Sequence, residues 1–404
     1  MFLESTISDI ENYPFLNPFR FENDPSKKYW HISTLESLLE ENWNSIEEGV
    51  TENREYLAAR EKIFSSSVFQ YFTDQKNRII QESLETDNSF QILGAYTCLL
   101  DSIVQTAFDY SFIDIPLIKE RLVEELNHEL NYKQKNLPEK KEKLKLLKEQ
   151  ILEMEKNLES GSSSSREHRY FQEVEFQHES ETRVLEERIE ELQQLIPQIQ
   201  EFKNDKNFVL NHLVIFARGG YGRAELGLSS DRDLGYCLDT NRLNNGEAEM
   251  LRQLIVHIEN LLRNSGVETA HQYFEIDEDL SRFDEVNTLH TIPSILESRV
   301  LLGSESLATN LKNRFFQVIT FEPYVLNLVR SFSESKEPEL NRMDLKMDYG
   351  GLRSLQIPLW ITAATFGIFP SQTADLLAFL IQKHLLSHRP VSYTHLTLPT
   401  KCSV

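Results

Sequence analysis

Cysteine is scarce in this 404-residue chain: Cys98, Cys237 and Cys402 lie far apart, and none belongs to a CxxC pair. That spacing excludes a cysteine-rich zinc site and suits a reducing compartment. Positive charge is also in deficit, with 42 Lys and Arg against 64 Asp and Glu, a net charge of −22. Proteins that hold nucleic-acid backbone draw affinity from Lys and Arg neutralising phosphates, so a general nucleic-acid partner is excluded and any phosphate chemistry must be local. Long apolar runs are missing too, and nothing approaches the ~20 residues of a membrane span. The best candidate, Leu355 to Phe369, is broken by Gln356, Pro358, Thr362 and Thr365. The acidic start MFLESTISDIENYPF lacks the basic-then-apolar order of a signal peptide. These absences point to a soluble cytoplasmic protein with no membrane partner.

What is present suffices for folding. Hydrophobic residues at 40% and aromatics at 10% set the chain apart from disordered sequences, which pair high charge with few large apolar groups. At ~150 residues per domain the length predicts two or three folding units. Up to residue 116 apolar residues recur at helical spacing, as in Ile92, Tyr96, Leu99, Leu100, Ile103 and Ala107, which predicts an all-helical region. Cys98 falls among them and reads as a buried small residue. Over 117–203 the composition changes. Leu144, Leu147, Ile151, Met154 and Leu158 follow a heptad seam, Ser160 to Ser165 interrupt it, and Phe171, Val174, His178, Leu185, Ile189, Leu192, Ile196 and Ile199 resume it. Two such segments around a Gly/Ser turn predict an antiparallel coiled-coil hairpin, a spacer or a surface for a coiled-coil partner or self-association. Pro138 is read as a helix restart.

From residue 204 to 280 the pattern becomes a compact α+β unit. Phe208 to Ala217 suits a buried strand, Leu234 to Leu238 a second, Gly246 to Asn264 an amphipathic helix, and Val267 to Phe274 a further strand. From 281 to 389 helical periodicity returns. The chemistry-bearing stretch runs from Phe216 to Leu234. A strand, the turn Gly219-Gly220-Tyr221-Gly222-Arg223, and then Ser230-Asp231-Arg232-Asp233 bring bare backbone close to two carboxylates. Carboxylates at i and i+2 on a strand share a face and can hold a hard cation such as Mg2+, while the glycines let a phosphate approach the backbone. Arg218, Arg223 and Arg232 surround these acids as candidate phosphate partners. No Lys-Ser/Thr follows the glycines, so this is not a Walker-type phosphate loop.

Gly219-Gly220 followed by Ser230-Asp231-x-Asp233 resembles the signature of the DNA polymerase β-type nucleotidyltransferase superfamily. The fuller string from Gly219 to Leu234 resembles its protein-PII uridylyltransferase branch. Leu296-Glu297-Ser298-Arg299-Val300-Leu301-Leu302-Gly303 is similar to a helix of that branch, and Asp344-Leu345-Lys346 through Gly350-Gly351-Leu352-Arg353 to Trp360 is similar to its helical-domain motif. The helix around Gly94 to Phe108 adds an N-terminal likeness. This resemblance implies a predominantly helical α+β fold: a small mixed-sheet nucleotidyltransferase domain at 204–280 and a helical bundle at 281–389, with the hairpin at 117–203 inserted before them. It implies transfer of a nucleoside monophosphate, UMP from UTP, to a protein hydroxyl on a PII-like regulator of nitrogen signalling. By position, Asp231 and Asp233 become the catalytic Mg2+ ligands. Gly219, Gly220, Arg223, Ser230, Lys346 and Arg353 become nucleotide-binding residues. Two alternatives stay open: another donor and acceptor, such as AMP transfer, or a coiled-coil interaction protein with a degenerate catalytic fold. Glu275 and Asp277 are candidates for the superfamily's third carboxylate, and His271 aligns with a family histidine or is structural. Ala224 stands where the family has glycine, and Ser354 where it has Asp. The hydrolase and paired regulatory domains of full-length uridylyltransferases have no counterpart motif. Residues 390–404, with VSYTHLTLPTK at 391–401, resemble a translated sequencing-adapter read-through, which places the native end near Arg389.

Overall fold

The computed structural model describes residues 35, 39, 53–85, 89–159, 165–276, 291–318, 324, 326–330, 352–368 and 373–385. Most of the first 52 residues, Asp277, Lys346, Gly350-Gly351 and the tail at 390–404 lie outside these. The chain divides into two units, one of Met1–Ile113, Asp205–Arg242 and Ile255–Val404, the other of Asp114–Asn204 with Leu243–Leu254. Of the regions expected at 1–116, 204–280 and 281–389, residues 114–116, 204 and 243–254 fall in the second unit and the rest in the first.

In the larger unit, α1 (Asn53–Glu85) and α2 (Ser89–Ile113) form a helix pair. Phe64 meets Tyr110 and Phe72 meets Tyr96, so positions rise along one helix as they fall along the other. The stripe Ile92, Tyr96, Leu99, Leu100, Ile103 and Ala107 is buried, as its spacing predicts, while Cys98 is half-buried. Downstream come α5 (Lys206–His212), β1 (Leu213–Ala217), the single turn α6 (Gly219–Gly222) and β2 (Asp233–Leu238). The run Phe208 to Ala217, expected as one strand, is therefore half helix. Asp205 caps α5 by accepting from the Asn207 and Phe208 N–H groups, which favours helix over the first half.

The sheet has four strands in the order β3-β2-β1-β4, with β3 Ala270–Glu275 and β4 Arg299–Gly303 at its edges. β1 pairs antiparallel with β2 and with β4, and β2 pairs parallel with β3. The segment Leu296 to Gly303, expected as helix, is thus mostly the edge strand β4. Only its first residue belongs to α8 (Thr291–Leu296). Strand wins because β1 has an open edge that Arg299–Gly303 can pair, and Val300, Leu301 and Leu302 suit a half-buried pleat. One sheet face carries Val214, Phe216, Cys237 and Phe274 into a core shared with α8, α9 (Glu305–Val318) and α10 (Leu352–Phe366). Burial pushes the Cys237 thiol up to about 12, which marks it as a core residue. The opposite face meets the part of α7 (Asn245–Asn264) from Ile255 on, where buried Glu259 accepts from Tyr236 and Thr269. α11 (Thr373–Gln382) closes the described part of the unit.

The second unit is built on α3 (Ile115–Glu159) and α4 (Ser165–Glu201). Ion pairs Arg188–Glu129, Lys140–Glu181 and Lys148–Glu179 set the two helices antiparallel. Ile151, Ile189, Leu192, Ile196 and Ile199 of the expected seam are buried. Pro138 does not restart a helix but lies inside α3. The carbonyl that loses its partner belongs to Gln134, which is exposed and can bond water instead.

Arg299 on β4 makes a forked pair with Asp101 on α2, at 2.9 and 3.1 Å. The two side chains are 17% and 22% exposed, so removing one leaves a largely desolvated charge. Asp101→Ala is expected to lower stability by about 2–3 kcal/mol and Asp101→Asn by less, as read by urea unfolding.

Candidate active site

Ala217 pairs with Leu234 in the β1–β2 register, so the chain leaving β1 passes the start of β2. The Arg218 N–H donates to the Asp233 carbonyl at 2.9 Å, and the glycine turn begins there. Gly219 has φ +54, a left-handed conformation that a side chain disfavours. A Cβ on it would also lie 3.3 Å from Asp233 Oδ2. The turn therefore packs its bare backbone against one of the two expected metal ligands. In α6, the N–H groups of Gly222 and Arg223 bond back to Arg218 and Gly219 carbonyls. Those of Gly219, Gly220 and Tyr221 have no acceptor within a helical turn of this length.

Asp233 is the first residue of β2, half-buried, with Arg218 Nη2 4.0 Å from its Oδ1. Arg218 is buried and held in place by two acceptors, Leu234 O at 3.1 Å from Nε and Gln272 Oε1 at 2.6 Å from Nη1. Burial lowers its pKa, and Asp233 works against that shift. Asp231 is exposed and precedes the strand by two residues, so the expected pair of strand carboxylates is one strand residue and one lead-in residue. Ser230 is exposed on a turn, its N–H donating to Gly227 O at 3.0 Å. Gly220 is half-buried beside Gly219.

Arg223 and Arg232 are engaged inside the fold. Arg223 is buried, with Nε 2.8 Å from Glu225 and Nη1 2.7 Å from Glu297. Burial opposes its charge, but the two carboxylates outweigh that and raise its pKa. Arg232 donates to Tyr96 Oη and Glu268 O and lies over the Phe72 ring at 5.4 Å. In an extended chain neighbours alternate sides, which separates Arg232 from Asp233. Arg353 lies in the first turn of α10; Lys346 is outside the described residues.

The β2–β3 register decides two further candidates. Asp233 pairs with Ala270, so Gln272 shares its face while His271 and Glu275 take the other. His271 meets Glu259 at 3.1 Å there. Glu275 pairs with Leu238, five residues along from Asp233, or roughly 16 Å at strand rise. Glu275 is therefore not a third ligand, and Asp277 lies outside the described residues. Among the described residues no cluster of three His, Cys, Asp or Glu could hold a metal. Two carboxylates facing solvent are nonetheless a suitable donor set for Mg2+, which binds through one or two carboxylates and completes its shell with phosphate and water oxygens.

Set against known proteins, no family model matches the chain. Sequence similarity points in one direction. The relatives are bifunctional uridylyltransferase/uridylyl-removing enzymes. The protein from Zymomonas mobilis is 30% identical over 165 residues, 39% of this chain and 17% of that enzyme. The one from Azospirillum brasilense is 31% identical over 160 residues, 36% of this chain and 16% of the relative. That of Psychrobacter arcticus is 30% identical over 179 residues, 42% and 18% respectively. The chain thus matches less than a fifth of the length of these relatives. No helix among the described residues is long and apolar enough to cross a membrane.

Residue reasoning missed Gln272 and Glu297. Period-2 alternation from Ala270 marks Gln272 once the register is known, and Glu297 is visible only as part of the Leu-Glu-Ser-Arg string. Ala224, where the uridylyltransferase-like string would have glycine, has φ +59. Glycine there would relieve roughly 1 kcal/mol of left-handed strain but forfeit about 0.8 kcal/mol of buried methyl. Ala224→Gly is expected to be neutral within about 0.5 kcal/mol, while Ala217→Gly in the buried strand β1 should cost about 1.5 kcal/mol. Thermal unfolding of the two variants side by side checks the contrast.

Proposed function

We propose that the chain carries a nucleotidyltransferase site that moves a nucleoside monophosphate, UMP from UTP, to a hydroxyl of a PII-like protein. The observation that carries this reading is the packing of Gly219 beside Asp233, where a Cβ added to the glycine would lie 3.3 Å from Oδ2. A phosphate-accepting backbone and a cation-binding carboxylate are thereby neighbours. The similarity to uridylyltransferases across about two fifths of the chain favours UTP, and the protein acceptor follows from the motif resemblance.

Asp231 and Asp233 would hold Mg2+, which when bound supplies charge neutralisation of the triphosphate. Gly219 and Gly220 offer backbone N–H groups to phosphate oxygens, with Ser230 at the rim. Arg218, fixed by Leu234 and Gln272, holds the Asp233 carboxylate in position. Arg353 and Lys346 are proposed to reach the nucleotide from the helical segment. In the transfer, the acceptor hydroxyl oxygen bonds to the α-phosphorus, and the bond from that phosphorus to the bridging oxygen breaks. Pyrophosphate leaves with the electron pair, and the hydroxyl proton passes to solvent.

Incubation with each α-labelled NTP, Mg2+ and a PII-type protein should label the acceptor from UTP. Asp233→Asn and Asp231→Asn are expected to reduce labelling by at least about 100-fold, because charge stabilisation at the transferring group carries most of the rate. Labelling from ATP alone would reassign the donor. No labelling from any NTP, or full activity in both variants, would overturn the enzymatic reading.

A further inference from the structure

The glycine turn, the segment between α8 and β4, and helix α10 meet at one carboxylate. Glu297 is 6% exposed, and its two oxygens have different partners. Oε2 accepts from Arg223 Nη1 at 2.7 Å, and Oε1 accepts from Trp360 Nε1 at 2.8 Å. Arg223 directly follows the turn, and Trp360 is in mid α10. The main chain is equally constrained here. A Cβ on Gly222 would lie 3.0 Å from Glu297 O and 3.2 Å from Ser298 Cα, so the turn rests on this segment backbone to backbone. Lys312 of α9 donates to Ser298 O at 2.6 Å and fixes the segment from the other side. Burial pushes its ammonium down to about 8. A cavity of about 20 Å3 between Arg223, Glu297, Gln356 and Trp360 has room for one water at most.

A buried ion pair contributes little stability over well-packed apolar groups of the same volume, but its directional bonds fix geometry. Here the two bonds tie the Glu297 segment to the glycine turn and to α10. Position 353 lies seven residues before Trp360, two helical turns away on the same face of α10. We infer that Glu297 is a positioning residue that locks the Gly219–Gly222 turn to α10, so that a nucleotide held at the turn is coupled to the first turn of α10. The nucleotide in this inference rests on the proposed function; the lock itself does not.

Three variants test it. Trp360→Phe removes the single N–H donor and keeps a ring, Glu297→Gln removes the charge and keeps the shape, and Leu311→Ala loosens the same apolar cluster without touching these bonds. Calorimetry with Mg2+ and UTP should show Kd raised about fivefold or more in the first two variants and unchanged in Leu311→Ala. Amide exchange over residues 218–225 should be about tenfold faster in the first two and unchanged in the third. Equal effects in all three, or none in Trp360→Phe and Glu297→Gln, would overturn the lock. Should the wild type bind no nucleotide, the proposed function fails and exchange alone decides. Faster exchange in Trp360→Phe than in Leu311→Ala upholds the lock, and equal rates overturn it.

Discussion

A Cβ on Gly222 would lie 2.8 Å from the Ala217 carbonyl and 3.0 Å from that of Glu297, so three backbone segments meet where no side chain fits. The end of β1, the glycine turn and the approach to β4 are pressed together at this point. Close packing of backbone on backbone leaves polar groups that must be satisfied, and the surroundings show how. Arg223 donates to both Glu225 and Glu297, Trp360 satisfies the remaining Glu297 oxygen, and Lys312 caps the Ser298 carbonyl. A side chain at 222 would push β4 away from β1 and break this polar set together.

The candidate site inherits its geometry from that contact. With Gly222 seated, Gly219 takes its left-handed conformation beside Asp233, and Arg218 is directed along the sheet to Leu234 and Gln272. Of the arginines crowded into Arg218–Arg232, two turn inward to structural partners and one braces a carboxylate. Glu225, Asp231 and Asp233 balance these three arginines in number, so the stretch carries no net charge in a chain of net −22. Asp231 is left exposed and Asp233 half-buried, with the bare backbone of Gly219 beside Asp233.

The helices were legible where apolar spacing was regular, because burial follows period directly. The α2 stripe and the α4 seam are examples. Asp205 was a readable capping residue, yet the apolar run after it outweighed the cap and suggested strand. Leu296 to Gly303 misled for a related reason: a short apolar run suits either helix or strand, and only the open edge of β1 decides. The site was legible as a string from Gly219 to Asp233, since turn glycines and paired acids are local features. Glu275 and His271 were not, because a strand assigns its residues to faces only once its register is known.

By itself the sequence determined the apolar periodicities, the glycine-rich turn beside an acidic pair, and the likeness of these to uridylyltransferases. Those are properties of neighbouring residues, set by side-chain period and by the backbone freedom of glycine. Tertiary structure alone decided that Arg223 faces Glu297 rather than solvent, that Gln272 and not Glu275 stands on the Asp233 face, and that Trp360 meets Glu297. These pairings join residues up to 74 positions apart, as in Arg223 and Glu297. No local pattern encodes them, because they depend on which strand edges pair and which helix covers the sheet.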